Sequence, residues 1–529
     1  MRRPALAILC ATMLLSTSGC FEKEEPTCAY WVPKLDSPAK SDKAWEQVEE
    51  LKCVDAIPYL EKMFDDGRDR ERILRSLTLI GDKAASASIM KKAVMTRDAG
   101  KLAASIIEDW RLSQARPALE AILTGDTLPK HREVALEALL SFEKPENIED
   151  LLITLANGDP NVQGVGANRV AVEQLGAMQS EKAIPTLIKA AFMRDNRGAK
   201  IYQAARLALA QVGPKVVDPL IATIEGKNEE LKTYARDQGI QPWEWQLGPE
   251  IVQIVTDTLD GRIGPSMVAN ANIELNPPMG ISEAMSEKWR VAQMNRLKVG
   301  MLGMGHAGPN DEKTVAALIA VVKDPLKDAI NQRLNSATSL AMIGTSRAQD
   351  ALLEIYDDEV DTRFCAPMLQ PIALGLDSEH MKAFQKVTKK ISKLEEESLR
   401  GPTVSAYLAA VHECKDDATC YLKKLESDDL QSSDEKKLAF AKSQAVKSAV
   451  MLARGIGDPA TVRAGLLKAF SNMPENSIDL RRFTLIALTR VGDATTGQQL
   501  VDLAENADNK KGFWPSELLI YGNSLKHRK

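Results

Sequence analysis

The sequence predicts an all-α fold, a right-handed α-solenoid of stacked helix pairs. Three observations carry that expectation. From about Lys43 onward apolar residues recur at spacings of three and four, the mark of helices with one buried face. Glycines punctuate the pattern at Gly81, Gly176, Gly213, Gly344, Gly457 and Gly492, and the residues around them follow one plan. Gly176 and Gly213 lie 37 residues apart and Gly457 and Gly492 lie 35 apart, the period of a repeating helix pair.

The plan has four slots. The residue before each glycine is Ile80, Leu175, Val212, Ile343, Ile456 or Val491, always branched and apolar. Four before stand Leu77, Val172, Leu209, Leu340, Ala453 and Leu488. Five before is small in Ser76, Ala171, Ala208, Ser339 and Ala487. Eight after come Ile89, Ile184, Ile221, Leu352 and Leu500, with Gly465 the exception. A glycine reaches the left-handed backbone that ends a helix. The small residue lets a neighbouring helix approach, and the apolar ones fill the interface. Asp82, Asp458 and Asp493 directly follow glycines, where a carboxylate caps the next helix. The 95 residues between Gly81 and Gly176 hold three units of similar length, so units bury their faces against neighbours along an array.

The segment AVEQLGAMQSEKAIPTLIKAA, Ala171–Ala191, resembles a HEAT repeat of the short phycobilisome-lyase type, with Ala-Ile-Pro opening the second helix. Lys52–Pro58 and Gly492-Asp493-Ala494 echo the same turn. A tetratricopeptide array has a similar period, but its Trp…Leu-Gly…Tyr signature is absent. The resemblance spans roughly Lys43 to Ala504, about twelve units by the period.

Ahead of the array, Arg2 and Arg3 precede an apolar stretch from Ala5 to Leu15, then Ser18 and Gly19, then Cys20. That order is a secretory signal, too short to stay as a membrane span. Thr17-Ser18-Gly19-Cys20 resembles a lipobox, although the motif usually has Leu where Thr17 stands. The resemblance implies lipid attachment at Cys20 and a bacterial envelope location. Phe21 after the cysteine, by resemblance to enteric sorting rules, favours the outer membrane, facing the periplasm or the cell surface. The expected organisation is a signal over 1–19, a lipid-anchored tether over 20–42, and helical arrays over 43–227 and 288–529. Between the arrays, 228–287 breaks the rhythm with Gln241-Pro242-Trp243-Glu244-Trp245, Gly264-Pro265 and NANIELNPPMG. It is expected to hold one divergent unit near Ile251–Leu259 within a long surface loop. Trp243 and Trp245 there either anchor a partner or pack that unit. The last segment, Gly512–Lys529, is expected to close the array as a polar cap.

With residues 1–19 removed from 529, 510 remain, ample for a large core. Removing Arg2 and Arg3 takes the formal charge from −5 to −7. A mildly acidic chain with 5% aromatics gives no reason to expect nucleic acid. Export permits disulfides, for which Cys28–Cys53 and Cys414–Cys420 are the natural pairs, leaving Cys365. Zinc is the rival use, but Cys-x-x-Cys is absent and the five histidines are scattered.

Sequence chemistry is sparse. Gly300–Gly308 is glycine-rich, but a helical pattern precedes it and no Gly-Lys-Ser/Thr follows, so it reads as a turn with His306 solvated. His412-Glu413 resembles one of the several His-Glu pairs of HEAT-like di-iron hydroxylases; one pair cannot hold two metals. Phycobilin lyases are cytoplasmic, unlike an exported chain. His131, His380 and His527 stand alone and read as surface residues. No catalytic, cofactor or metal residue is singled out. The expected function is an envelope-anchored scaffold or adaptor for protein partners. The alternatives are an enzyme whose groove leaves no local signature and a carrier of a hydrophobic or glycan ligand.

Overall fold

The structure is a computed structural model describing residues 24–96, 98–125, 128–246, 248–272, 280, 282–287, 312–323, 330–389, 391–508 and 512–528. The signal segment, Cys20, and the Gly300–Gly308 turn with His306 lie outside the described residues. The described chain is all-α, its only extended pairing a bridge between Arg194 and Lys200. It divides into two compact units, Met1–Glu143 and Lys144–Lys529.

In the first unit, helices α1 (Ser41–Glu50), α2 (Arg70–Ile80), α3 (Lys83–Val94), α4 (Gly100–Trp110) and α5 (Pro129–Leu140) form antiparallel-type pairs and stacks. Helix α1 packs on α2, α2 on α4 and α4 on α5, while α3 packs against α4. Trp45, Leu74, Leu77, Ile89 and Met90 fill the seams, each at most 3% exposed. The first turn is fastened by a Cys28–Cys53 disulfide with Cα atoms 5.4 Å apart.

The second unit continues the plan with α6 (Glu149–Asn157), α7 (Val165–Ala177) and α8 (Tyr202–Val212) in one stack. After α9 (Pro249–Asp257), a second stack runs through α10 (Ile330–Ile343), α11 (Thr362–Gly375), α12 (Glu435–Leu452) and α13 (Ile478–Val491). The last pair is α14 (Ala494–Glu505) and α15 (Phe513–Lys526). Helix α15 is no polar cap. It buries Trp514, Leu518, Ile520, Tyr521 and Leu525, packing on α14 and also on α8, some 300 residues earlier. Its apolar residues occupy more than one helical stripe, which suits two neighbours rather than one.

The repeat slots behave as their chemistry requires. Ser76, Ala171, Ala208, Ser339 and Ala487 are each at most 1% exposed. Asp82, Asp458 and Asp493 accept hydrogen bonds from the amides of Ala85, Thr461 and Thr496 at 2.8–2.9 Å, capping their helices. The glycines divide into two roles. Gly81 ends α2 in the left-handed region at φ 83°, but Gly176 lies inside α7, and Gln179 takes the positive φ beyond it. Gly176 is needed for contact, because a Cβ there would sit 2.4 Å from the Ala208 Cα on α8. Gly176→Ala is therefore expected to destabilise the second unit by about 1–3 kcal/mol, read as a shift in urea midpoint.

The stretch expected as a loop is helical as far as residue 272. Helices Glu229–Asp237, Pro242–Trp245, α9 and Gly264–Asn272 fill it. Pro242, Pro249 and Pro265 each sit in a first turn, where a missing N–H costs nothing, so they start helices instead of breaking them. Asn228 adds a side-chain cap to the amide of Leu231 at 3.0 Å.

Candidate functional site at the closure of the second unit

Where α15 meets α8 and α9, the interior holds charge. Arg206 lies on α8 among alanines and leucines and is 3% exposed. Its Nε and Nη2 donate to Asp257, the last residue of α9, at 2.7 and 3.0 Å. Its Nη1 and Nη2 donate to Glu517 of α15 at 2.6 and 3.2 Å. Two carboxylates thus share two edges of one guanidinium, the bidentate geometry arginine favours. Burial alone would lower the Arg206 pKa, but Asp257 and Glu517 together hold it well above its ordinary value. The triad is one negative charge in surplus, and Gln253 adds a donor to Asp257 at 2.8 Å.

A second set of buried cations sits on helix ends. The last carbonyls of a helix lack intrahelical donors and carry about half a negative charge between them. Lys447 on α12 is fully buried and donates to Leu374 O at 2.8 Å and to Leu376 O, at the end of α11. Arg454, just past α12, donates to Ala341 O of α10 and Gly375 O of α11. Arg490 of α13 donates to Met342 O and Ile343 O of α10. Arg528, just past α15, uses Nη1 for Thr489 O, Arg490 O and Gly492 O at the end of α13. Each cation caps a helix other than its own. Asp377, 3.7 Å from Arg454, supplies a full negative charge. Burial pulls Arg454 and Arg490 down to about 10, and burial followed by repulsion from Arg454 pulls Lys447 well below the usual lysine range.

Beside Arg206 and Arg528 lies a cavity of about 270 Å³, bounded by α8, α9, α15 and the turn after α9. Leu209, Val216 and Ile254 give it an apolar wall, and Arg206, Ser524 and Arg528 give it polar ones. His527 also lines it, its ring against Gly213, where a Cβ would come within 2.6 Å. Its Nε2 lies 3.0 Å from Gln211 O. A carbonyl only accepts, so Nε2 carries the proton.

None of these residues was singled out by sequence reasoning except His527, expected at the surface. His527 instead is half-buried, and His131 and His380 are 7% and 8% exposed. Burial, with Lys130 and Lys101 nearby, lowers the His131 pKa. His380 is held by Asp377 at 2.6 Å and Asp350 at 3.2 Å. The apolar spacing around each histidine placed its ring in a seam that the polar neighbours alone did not disclose. His412 and Glu413 are exposed, Glu413 pairing with Lys424 at 2.6 Å. Cys414 and Cys420 are bonded, with Cα atoms 5.3 Å apart, across the Lys415–Asp417 turn, and Cys365 is a buried free thiol. Trp245 is 4% exposed and Trp243 half-buried, both on helix Pro242–Trp245 just ahead of α9. Among the described residues no group of three or more His, Cys, Asp and Glu is placed to hold a metal ion, and no single helix is long and apolar enough to cross a membrane.

Residues 168–192, spanning the end of α7, the turn and the next helix, match the PBS lyase HEAT-like repeat model. That segment is thus similar to a HEAT-type repeat, and the other helix pairs share its slots. No curated protein matches the chain. A solved structure of Kap95p with RanGDP is similar over 95% of this chain and 67% of that one, at 12% identity and a TM-score of 0.29. A likeness of that degree adds nothing to what the helix pairs already establish.

Proposed function

We propose that this protein is an envelope-anchored scaffold, held by lipid on Cys20 and offering its helix-pair surfaces to protein partners. The observation that carries the reading is the repeat itself: HEAT-type pairs spend their small and apolar slots on one another and leave polar faces outward along the array. Thr17-Ser18-Gly19-Cys20 at the end of a secretory signal supports the anchor, and the two disulfides suit an oxidising compartment. The outer membrane is the location the residue after Cys20 favours. Function here rests on surfaces rather than on fold class alone.

Two measurements test the parts separately. Cys20→Ala is expected to move the protein from the membrane fraction to the soluble one; retention of the variant in membranes would sink the anchor. Crosslinking in intact envelopes followed by mass spectrometry is expected to return one or two stoichiometric envelope proteins. Trp243→Ala probes the contact, because Trp243 is partly open whereas Trp245 is core. Absence of any reproducible partner would overturn the scaffold reading.

A further inference from the structure

The cavity beside the Arg206 triad has the features of a binding site for a small molecule. Its volume of about 270 Å³ is that of roughly nine waters at about 30 Å³ each. Ser524 lines the cavity, but its Oγ is closed off from water and so from a ligand. Arg528, on the same wall and four residues on, commits only Nη1 to protein carbonyls. Its Nε–H and Nη2–H edge makes no hydrogen bond among the described residues. That edge is the parallel pair of donors that fits a carboxylate side-on. Arg490 stands behind Arg528, close enough for the two to repel, which concentrates positive charge at this end. The rest of the lining includes Leu209, Val216 and Ile254, which cannot satisfy a polar solute, and the carboxylates of Asp257 and Asp260, held by Arg206 and Arg262.

We infer that this cavity binds a small amphipathic carboxylate, its anionic group on the free edge of Arg528, its aliphatic body against Leu209, Val216 and Ile254. Arg206 is not the anchor, since both its forks are already occupied by Asp257 and Glu517. The Asp257 side, with its surplus negative charge, repels a second anionic group and so limits the ligand to one carboxylate.

The test uses the full chain and 4-methylpentanoate as the probe, by isothermal titration and thermal melting. Two controls separate the terms: 4-methyl-1-pentanol has the body without the carboxylate, and acetate has the carboxylate without the body. The expected result is saturable binding of 4-methylpentanoate with a raised melting temperature, and neither control matching it. Arg528→Gln is expected to weaken binding by more than about 10-fold. Because Arg528 also caps α13, Ala210→Met provides a second variant: it fills the cavity from the α8 wall, touches no hydrogen bond described here, and is expected to abolish binding. Binding that survives both Ala210→Met and Arg528→Gln would place the carboxylate elsewhere and overturn the assignment. No heat and no stabilisation from 4-methylpentanoate at millimolar concentration would mean that the cavity holds water only.

Discussion

Arg206→Met is expected to destabilise the second unit by about 3–5 kcal/mol, because it strands Asp257 and Glu517 together in an interior with no cation between them. The size of the effect comes from what is left behind rather than from the contacts removed. Glu517→Gln is the contrasting change. It keeps a neutral acceptor beside Arg206, leaves one guanidinium against one carboxylate, and removes the surplus charge, so its cost is expected to stay near 1 kcal/mol. Urea unfolding of the full chain, followed by a probe in the second unit, reads both. Equal losses for the two variants would refute the argument that the unpaired charge dominates.

The second large effect concerns pH. Lys447 is fully buried, and its two acceptors, Leu374 O and Leu376 O, need two N–H donors, which a neutral amine supplies as well as a charged one. Burial lowers its folded pKa well below 10.5, whereas in the unfolded chain it keeps its proton up to that value. Between the folded pKa and 10.5 the unfolded state binds more protons, so stability rises with pH across that window. Below the folded pKa both states are protonated and the whole penalty of the buried charge remains. The slope contributed is at most about 1.4 kcal/mol per pH unit. Lys447→Met removes this component while leaving every exposed group in place. Comparing urea midpoints of the two proteins from pH 7 to 10 isolates it, and parallel curves would show that the amine stays charged in the fold. The slope is the readout here. The level also falls, since methionine deprives two carbonyls of their donors, at about 1–3 kcal/mol for each.

How much of this was legible in the sequence depends on whether the information is periodic. The slots around the glycines are, and so the small residues and the Asp caps could be read directly; the disulfide pairs were read from the placing of the cysteines alone. Gly176 shows the limit: the same letter in the same slot serves a close approach to Ala208 rather than a left-handed end, because the helix runs on to Ala177. The triad left a fainter trace. Seven residues before the aligned glycines stand Leu74, Ala337, Val450 and Leu485, all at most 4% exposed, whereas before Gly176 and Gly213 stand Arg169 and Arg206. Arg169 is partly exposed and pairs with Glu173, so the slot alone did not tell which arginine is buried. The partners of Arg206 were hidden too, since Asp257 and Glu517 lie 51 and 311 residues away. The carbonyl-capping cations were hidden for the same reason: Arg490 serves a helix end 147 residues earlier, and no local pattern marks such a pairing.

The packing of α15 on α8 has a consequence for the order in which the chain is made. Synthesis delivers Arg206 some 311 residues ahead of Glu517. At about 5–20 residues per second that interval is roughly 15–60 s. Throughout it the side of α8 that meets α15, at Arg206 and Gly213, lacks that cover, and the Arg206 fork toward Glu517 is empty. An open array would finish each pair as it emerged. This one leaves a seam waiting for α15, so the exposure of that seam ends only when Glu517 arrives.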